Sequence, residues 1–420
     1  MRRIGWLALG AGLVIGGAAQ AAVAGSAFDP EAATRAYLAT VHGAARAKSD
    51  AYFEGGYWLI LWGALVTIAV NLVLLQTGVI RRLSDWARRR RRGLAGRILF
   101  FATAYGLLTT MLTLPYMLWT GFYREAQYGL NNQSLVHWFG DFAVASLVGA
   151  VLTPLLLIPI LLLVRCTPRT WWAWGTLVVV LGLAFTGAVA PVAIDPLFNR
   201  YTPLTREPLR GELLSLARAN GVPASQIFVV DASKQTKKIS ANVAGLGGTA
   251  RVALNDNLLA TRDDDMIRAV TGHEMGHYLL GHTWRLLSGF ALIALAGFLL
   301  VQWSVPALLR RYGARWGVGA LWEPGVIAVA SIVLAPFGML ATPLSNTLIR
   351  TTEAQADIFG LNASRAPDGF ARAALVLSQY RKLEPTALEE AVFYDHPSGR
   401  TRIAAAMRWK AEHLGQADVR

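Results

Sequence analysis

Hydrophobic and polar positions divide the chain into long apolar runs joined by short polar segments, with one mixed stretch near the middle. Apolar runs fall at roughly 57–79, 98–120, 142–164 and 171–193, and two more at roughly 285–305 and 325–344. Each is long enough to cross about 30 Å of hydrocarbon as a helix. Met1 to about Val23 adds another, with a basic start at Arg2 and Arg3, an apolar middle and an Ala-rich end. It reads either as a secretory signal peptide or as a first span. Counting it, the pattern predicts seven transmembrane helices. Pro115, Pro154, Pro159, Pro191, Pro336 and Pro343 interrupt the runs, which is tolerated where neighbouring helices or a cavity re-satisfy the backbone. Residues 27–56, polar and Ala-rich, predict a helical segment ahead of the second run.

The mixed stretch spans residues 194–283. Glu207 to Asn220 has the periodicity of an amphipathic helix, ended by Asn220-Gly221 and Pro223. Ile227–Val230 and Val252–Leu254 are short β-type runs, and Ile239–Val243 supplies a third, with Gly245, Gly247 and Gly248 as its turn. Next comes a helix over Ala269–Leu279, preceded by Asp263, Asp264 and Asp265, whose negative charge suits a helix N-terminus. The expected fold is therefore mainly α: a polytopic membrane protein with a small α+β domain of zincin type. Its expected divisions are 1–24 (signal peptide or first span), 25–193 (N-terminal membrane domain) and 194–420 (catalytic domain including the last two spans).

Composition agrees. The chain has 420 residues, 54% of them hydrophobic and 16% charged, against about 25% charged in soluble domains. A net charge of +14 raises the question of nucleic acid. Its distribution answers it, because eight arginines lie between Arg81 and Arg97, beside an apolar run where topology signals sit. No nucleic-acid partner is expected; membrane lipid and a peptide or protein substrate are. Arg165 with Arg169, and Arg310, Arg311 and Arg315, join the Arg81–Arg97 loop on one side if the spans alternate. The positive-inside rule makes that side cytoplasmic and puts the 121–141 loop, the Ala269–Leu279 helix and the C-terminal tail opposite, which in a bacterial inner membrane is the periplasm. Cys166 is the single cysteine, so an intrachain disulfide and a Cys-based zinc site are excluded.

The helix at 269–279 contains His273-Glu274-Met275-Gly276-His277. Residues i and i+4 share a helix face, so two imidazoles can address one ion, while Glu274 sits beside it without ligating and can accept a proton from water. A catalytic zinc needs a third protein ligand. His282 lies five residues after His277, roughly 140° round a continued helix, and is expected as an interfacial residue at a span boundary. Glu353 is the better candidate: Glu353 and Asp357 are again i and i+4, just beyond the last span. Glu353 completes a His₂Glu set, and Asp357 is placed to orient a ligand histidine by accepting its other N–H.

The order His273-Glu274-x-x-His277, two spans, then Glu353-x-x-x-Asp357 resembles the integral-membrane zinc endopeptidases of the CAAX prenyl protease type. Further stretches are similar to that family's motifs: Phe122-Tyr123-Arg124-Glu125 with Tyr128–Ser134, Ser240-Ala241-Asn242 before Val252–Leu254, and Asp395-His396-Pro397 with Arg402. The resemblance runs from about residue 35 to 410. It implies one zinc ion held by His273, His277 and Glu353, with Glu274 as general base and His396 steadying the oxyanion. Asn242 and Arg402 would hold substrate. It also implies helices that enclose a chamber with the zinc domain closing one end, and cleavage near the C-terminus of a protein or peptide. A heat-shock membrane metalloprotease shares the zinc motif but lacks the 122–134 loop. A non-catalytic membrane scaffold or lipid-binding chamber is the reading from another class.

Overall fold

The computed structural model describes residues 28–244, 251–416 and 419. The first expected span, residues 1–24, lies outside them, as does the glycine turn at 245–248. Six helices long and apolar enough to span a membrane are present among the described residues, at the six runs expected there. The membrane half comprises α1 (Pro30–Ala39), α2 (Gly43–Gln76), α3 (Val79–Arg90), α4 (Leu94–Leu118), α5 (Arg124–Gln127), α6 (Leu135–Cys166) and α7 (Trp171–Val189). The polar segment expected ahead of the second run is not a separate element. Beyond α1 it forms the first turns of α2, which continues unbroken into the span, through Gly55-Gly56 and with no proline, as far as Thr77-Gly78. The prolines are absorbed in the helices, with π-turns at Trp119–Tyr123, just after Pro115, and at Ala190–Ile194 around Pro191.

The catalytic half comprises β1 (Tyr201–Pro203), α8 (Leu209–Ala219), β2 (Ile227–Val230), β3 (Ala241–Ala244), β4 (Arg251–Asn255), α9 (Asp256–Ala260) and α10 (Asp264–Leu279). The long helices α11 (His282–Trp316) and α12 (Val326–Ser364) follow, then α13 (Pro367–Leu377), α14 (Ala387–Phe393) and α15 (Gly399–Glu412). The sheet order is β1-β2-β4-β3, with β2 parallel to β4 and β3 antiparallel to it. One sheet face carries Ile227, Val252 and Leu254 into a core shared with Leu213 of α8 and Met266, Ile267 and Met275 of α10. β3 is one of the two edge strands, with Asn242 opposite Ala253.

The spanning helices touch in a closed ring: α2, α4, α6, α7, α11, α12 and back to α2. Their buried apolar residues gather at one end. Leu74, Leu75, Ile98, Phe101, Ile160, Val164, Trp171, Val301, Val305, Val326 and Val329 form a single cluster with Ile80 and Ala87 of α3. These come from the C-terminal ends of α2, α6 and α11 and the N-terminal ends of α4, α7 and α12. The basic loops lie there too: Arg81 donates to the Ala314 and Arg315 carbonyls, and Arg165 stacks over Trp322. Toward the other end buried residues become sparser.

Two contacts position the site. Helices α10 and α12 cross closely because glycines face each other: a Cβ on Gly360 would lie 2.8 Å from the His273 backbone nitrogen, and one on Gly272 3.1 Å from the Gly360 oxygen. The segment after α5 docks on the loop before β3. Asn132 accepts no break in this join: its backbone N–H donates to the Gln235 carbonyl at 3.0 Å and its side chain to the Ser233 carbonyl at 2.8 Å, while Glu125 pairs with Lys238 at 2.9 Å.

Candidate active site

Helix α10 starts where its sequence says it should, because Asp263 caps it by accepting from the Met266 N–H and Asp264 and Asp265 occupy the first turn. Two turns on, His273 and His277 present their Nε2 atoms 3.1 Å apart. Helix α12 brings Glu353 to them: Oε2 is 3.2 Å from His273 Nε2 and Oε1 is 3.4 Å from His277 Nε2. Three ligands of a tetrahedral zinc at bond lengths of 2.0–2.1 Å stand about 3.3–3.4 Å from one another, so the donor set has the right spacing for such an ion. Electrostatics agree. Glu353 Oε2 is buried without a hydrogen-bond donor, although histidine nitrogens adjoin it. Burial alone depresses the His273 pKa, yet the Asp357 and Glu353 carboxylates outweigh it and raise it to about 10. The residues call for a cation.

Asp357, one turn beyond Glu353, is 2.8 Å from His273 Nδ1. It sets that ring so that Nε2 points at the ligand cluster. Arg402, expected against substrate, is instead buried and forks onto Asp357, with Nε 3.0 Å from Oδ2 and Nη2 2.6 Å from Oδ1. α15 is turned inward here by its packing through Ile403, Ala406 and Met407 against α13, which leaves Arg402 facing Asp357. Glu274 is on α10 next to His273, and burial raises its carboxyl pKa above the ordinary glutamate value. His396, in the turn between α14 and α15, has Nε2 3.1 Å from Glu353 Oε2 and Nδ1 2.9 Å from Asp395 Oδ1. Burial lowers its pKa in spite of the Asp395 carboxylate. Asn242 is exposed on edge strand β3, which packs beside α10.

His282 departs most from expectation. It is 2% exposed, with Nδ1 3.0 Å from His277 Nδ1 and Nε2 3.2 Å from Gln355 Oε1. The 140° offset holds only if α10 continues. It stops at Leu279, and Gly281 at φ 64° turns the chain so that α11 starts with His282 against His277.

The description of peptidase family M48 matches residues 203–410, and that of the CAAX prenyl protease N-terminal domain, with five membrane helices, matches residues 35–200. The chain belongs to the CAAX prenyl protease branch of peptidase family M48. Among M48 relatives, an uncharacterized metalloprotease of Bacillus subtilis, YhfN, is 26% identical over 86% of this chain and 85% of its own length. A CAAX prenyl protease 1 homolog of Oryza sativa is 28% identical over 80% of this chain and 82% of its own. The crystal structure of S. mikatae Ste24p superposes with a TM-score of 0.70 at 21% identity, covering 90% of this chain and 94% of that one, and shares the fold. The chain is thus a multi-pass membrane metalloprotease of that family.

Proposed function

We propose that this M48 metalloprotease is a zinc endopeptidase that cuts a peptide bond near the C-terminus of a membrane-associated protein or peptide, in the manner of CAAX processing. The observation that carries the reading is the convergence of His273 Nε2 and His277 Nε2, 3.1 Å apart, on the Glu353 carboxylate, whose Oε2 lies 3.2 Å from the first and Oε1 3.4 Å from the second, with Glu274 on the same helix. A zinc ion held by those three side chains would polarise a carbonyl and lower the pKa of water toward neutrality. Glu274 takes the proton from the attacking water and returns it to the leaving amine; its raised pKa suits that exchange. Asp395 holds the His396 ring through Nδ1 and leaves Nε2 facing the site, where it can donate to a carbonyl oxygen gaining charge. Edge strand β3, through Asn242, offers an extended peptide a pairing surface. The match over residues 35–200 favours this reading over the heat-shock type. The clustering of the basic loops at the end away from the catalytic half supports an inner-membrane location with the active side toward the periplasm.

The test is Glu274→Gln in purified full-length protein. Zinc content is expected to stay at one per chain while peptide hydrolysis falls by about 10²–10⁴-fold. Cleavage at the wild-type rate by the variant would sink the assignment. Peptides whose new C-termini appear only in cells carrying wild-type protein would identify the substrate.

A further inference from the structure

We infer that His282 is a positioning residue that fixes the tautomer and orientation of His277, so that the two ligand histidines are held by unlike partners. The inference rests on the zinc reading above and goes beyond it. The hydrogen-bond chain leaves little freedom. Arg285 Nη1 is 2.7 Å from Gln355 Oε1 and its Nη2 is 3.1 Å from Thr351 Oγ1. Arginine can only donate, so the Gln355 atom is the carbonyl oxygen. His282 Nε2, 3.2 Å from that same oxygen, must therefore carry its proton. In the neutral ring Nδ1 is then an acceptor, and the His277 Nδ1 that lies 3.0 Å away must be the donor. With its proton on Nδ1, His277 offers the lone pair of Nε2 to the point where Glu353 and His273 converge.

Both ring nitrogens of His282 are occupied in this chain, so it has none to give an ion and is not a ligand. It does for His277 what Asp357 does for His273, with one difference. The Asp357 carboxylate is charged and is itself held by the buried Arg402. His282 is a neutral ring anchored through the exposed Gln355 and Arg285. The hold on His277 is therefore the weaker of the two, and its anchor reaches the protein surface. The αL conformation of Gly281 is what makes the contact possible, since a continued α10 would carry residue 282 away from His277.

The experiment measures zinc loss to a competing chelator, and the absorption spectrum of the cobalt(II)-substituted protein, for full-length wild type, His282→Phe, His282→Asn and Gln355→Leu. His282→Phe keeps a ring of similar size and removes the acceptor; zinc affinity is expected to fall about 10–100-fold, with a changed cobalt spectrum. In His282→Asn the amide oxygen can take the place of Nδ1, and affinity is expected to recover to within about threefold of wild type. Gln355→Leu alters an exposed position, so it reports even if the phenylalanine variant does not fold; a loss of about 3–10-fold is expected, below the range for removing the acceptor itself. Equal losses in His282→Phe and His282→Asn would overturn the proposal in favour of a packing role. So would unchanged zinc affinity and cobalt spectrum in His282→Phe, or in Gln355→Leu if only that variant folds. A wild-type chain that takes up no zinc would instead overturn the metal reading itself.

Discussion

Replacing Arg402 with methionine removes a guanidinium that is 8% exposed from an Asp357 that is 3% exposed, while keeping most of the aliphatic stem. Both bonds of the fork, at 3.0 and 2.6 Å, are lost. A buried charge stripped of its partner costs about 3–5 kcal/mol. Asp357 keeps His273 Nδ1 at 2.8 Å, which argues for the lower end, about 3 kcal/mol. The assay is thermal unfolding of detergent-purified protein, read with zinc content and the Michaelis parameters for a peptide substrate. The midpoint is expected to fall by several degrees, and zinc to be lost more readily because His273 is no longer rigidly aimed. Asp357→Asn and the double variant complete a cycle, in which the pair should show a coupling of about 1–3 kcal/mol. A methionine variant with wild-type midpoint and zinc affinity but a raised KM would refute this reasoning and return Arg402 to the substrate side.

Asp357→Asn alone is expected to lower zinc affinity about 10–100-fold, measured by chelator competition, with the fold intact by circular dichroism. Gly360→Ala should cost about 1–3 kcal/mol, because its Cβ would meet the His273 backbone at 2.8–2.9 Å and force α12 outward, taking Glu353 with it; a wild-type melting midpoint and zinc off-rate would contradict the close crossing. Lys238→Met breaks the pair with Glu125 at 2.9 Å just ahead of β3. It is expected to raise KM about 3–10-fold with kcat nearly unchanged, as loss of uniform substrate binding should. Removal of zinc by a chelator should abolish hydrolysis, and stoichiometric zinc should restore it, since the ligands stay placed by α10 and α12.

Local periodicity makes much of this molecule legible in its sequence. Six spans follow from the length of their apolar runs, and the α10 helix, Glu353 with Asp357 and the edge strand from spacings of two or of three to four residues within one element. What escaped were contacts that depend on where an element stops or on what faces it from afar. His282 was measured along a helix that ends three residues earlier, although a glycine at 281 after the last apolar turn is a stop signal. Arg402 falls six residues after His396, and nothing in that interval says that a carboxylate 45 positions back will face it. Strand β1, with three residues, is too short to show an alternation. The docking of residues 131–132 on 233–236 joins positions about a hundred apart and has no local signature.

Helix α12 has a consequence for what can be cut. It runs without a break from Val326, at the packed end of the ring, to Ser364, so the membrane-crossing segment and Glu353 belong to one rod. The apolar run closes near Leu344, and nine residues of helix at 1.5 Å each separate that level from Glu353, roughly 14 Å along the axis. The segment beyond Pro343 therefore sets the distance of Glu353 from the end of the apolar run. A peptide whose apolar anchor rests at the membrane surface needs about four extended residues, at about 3.3 Å apiece, to raise a bond to the ligand cluster. For the membrane-associated substrate proposed above, length from anchor to bond would then select what is cut as much as the residues on either side of it.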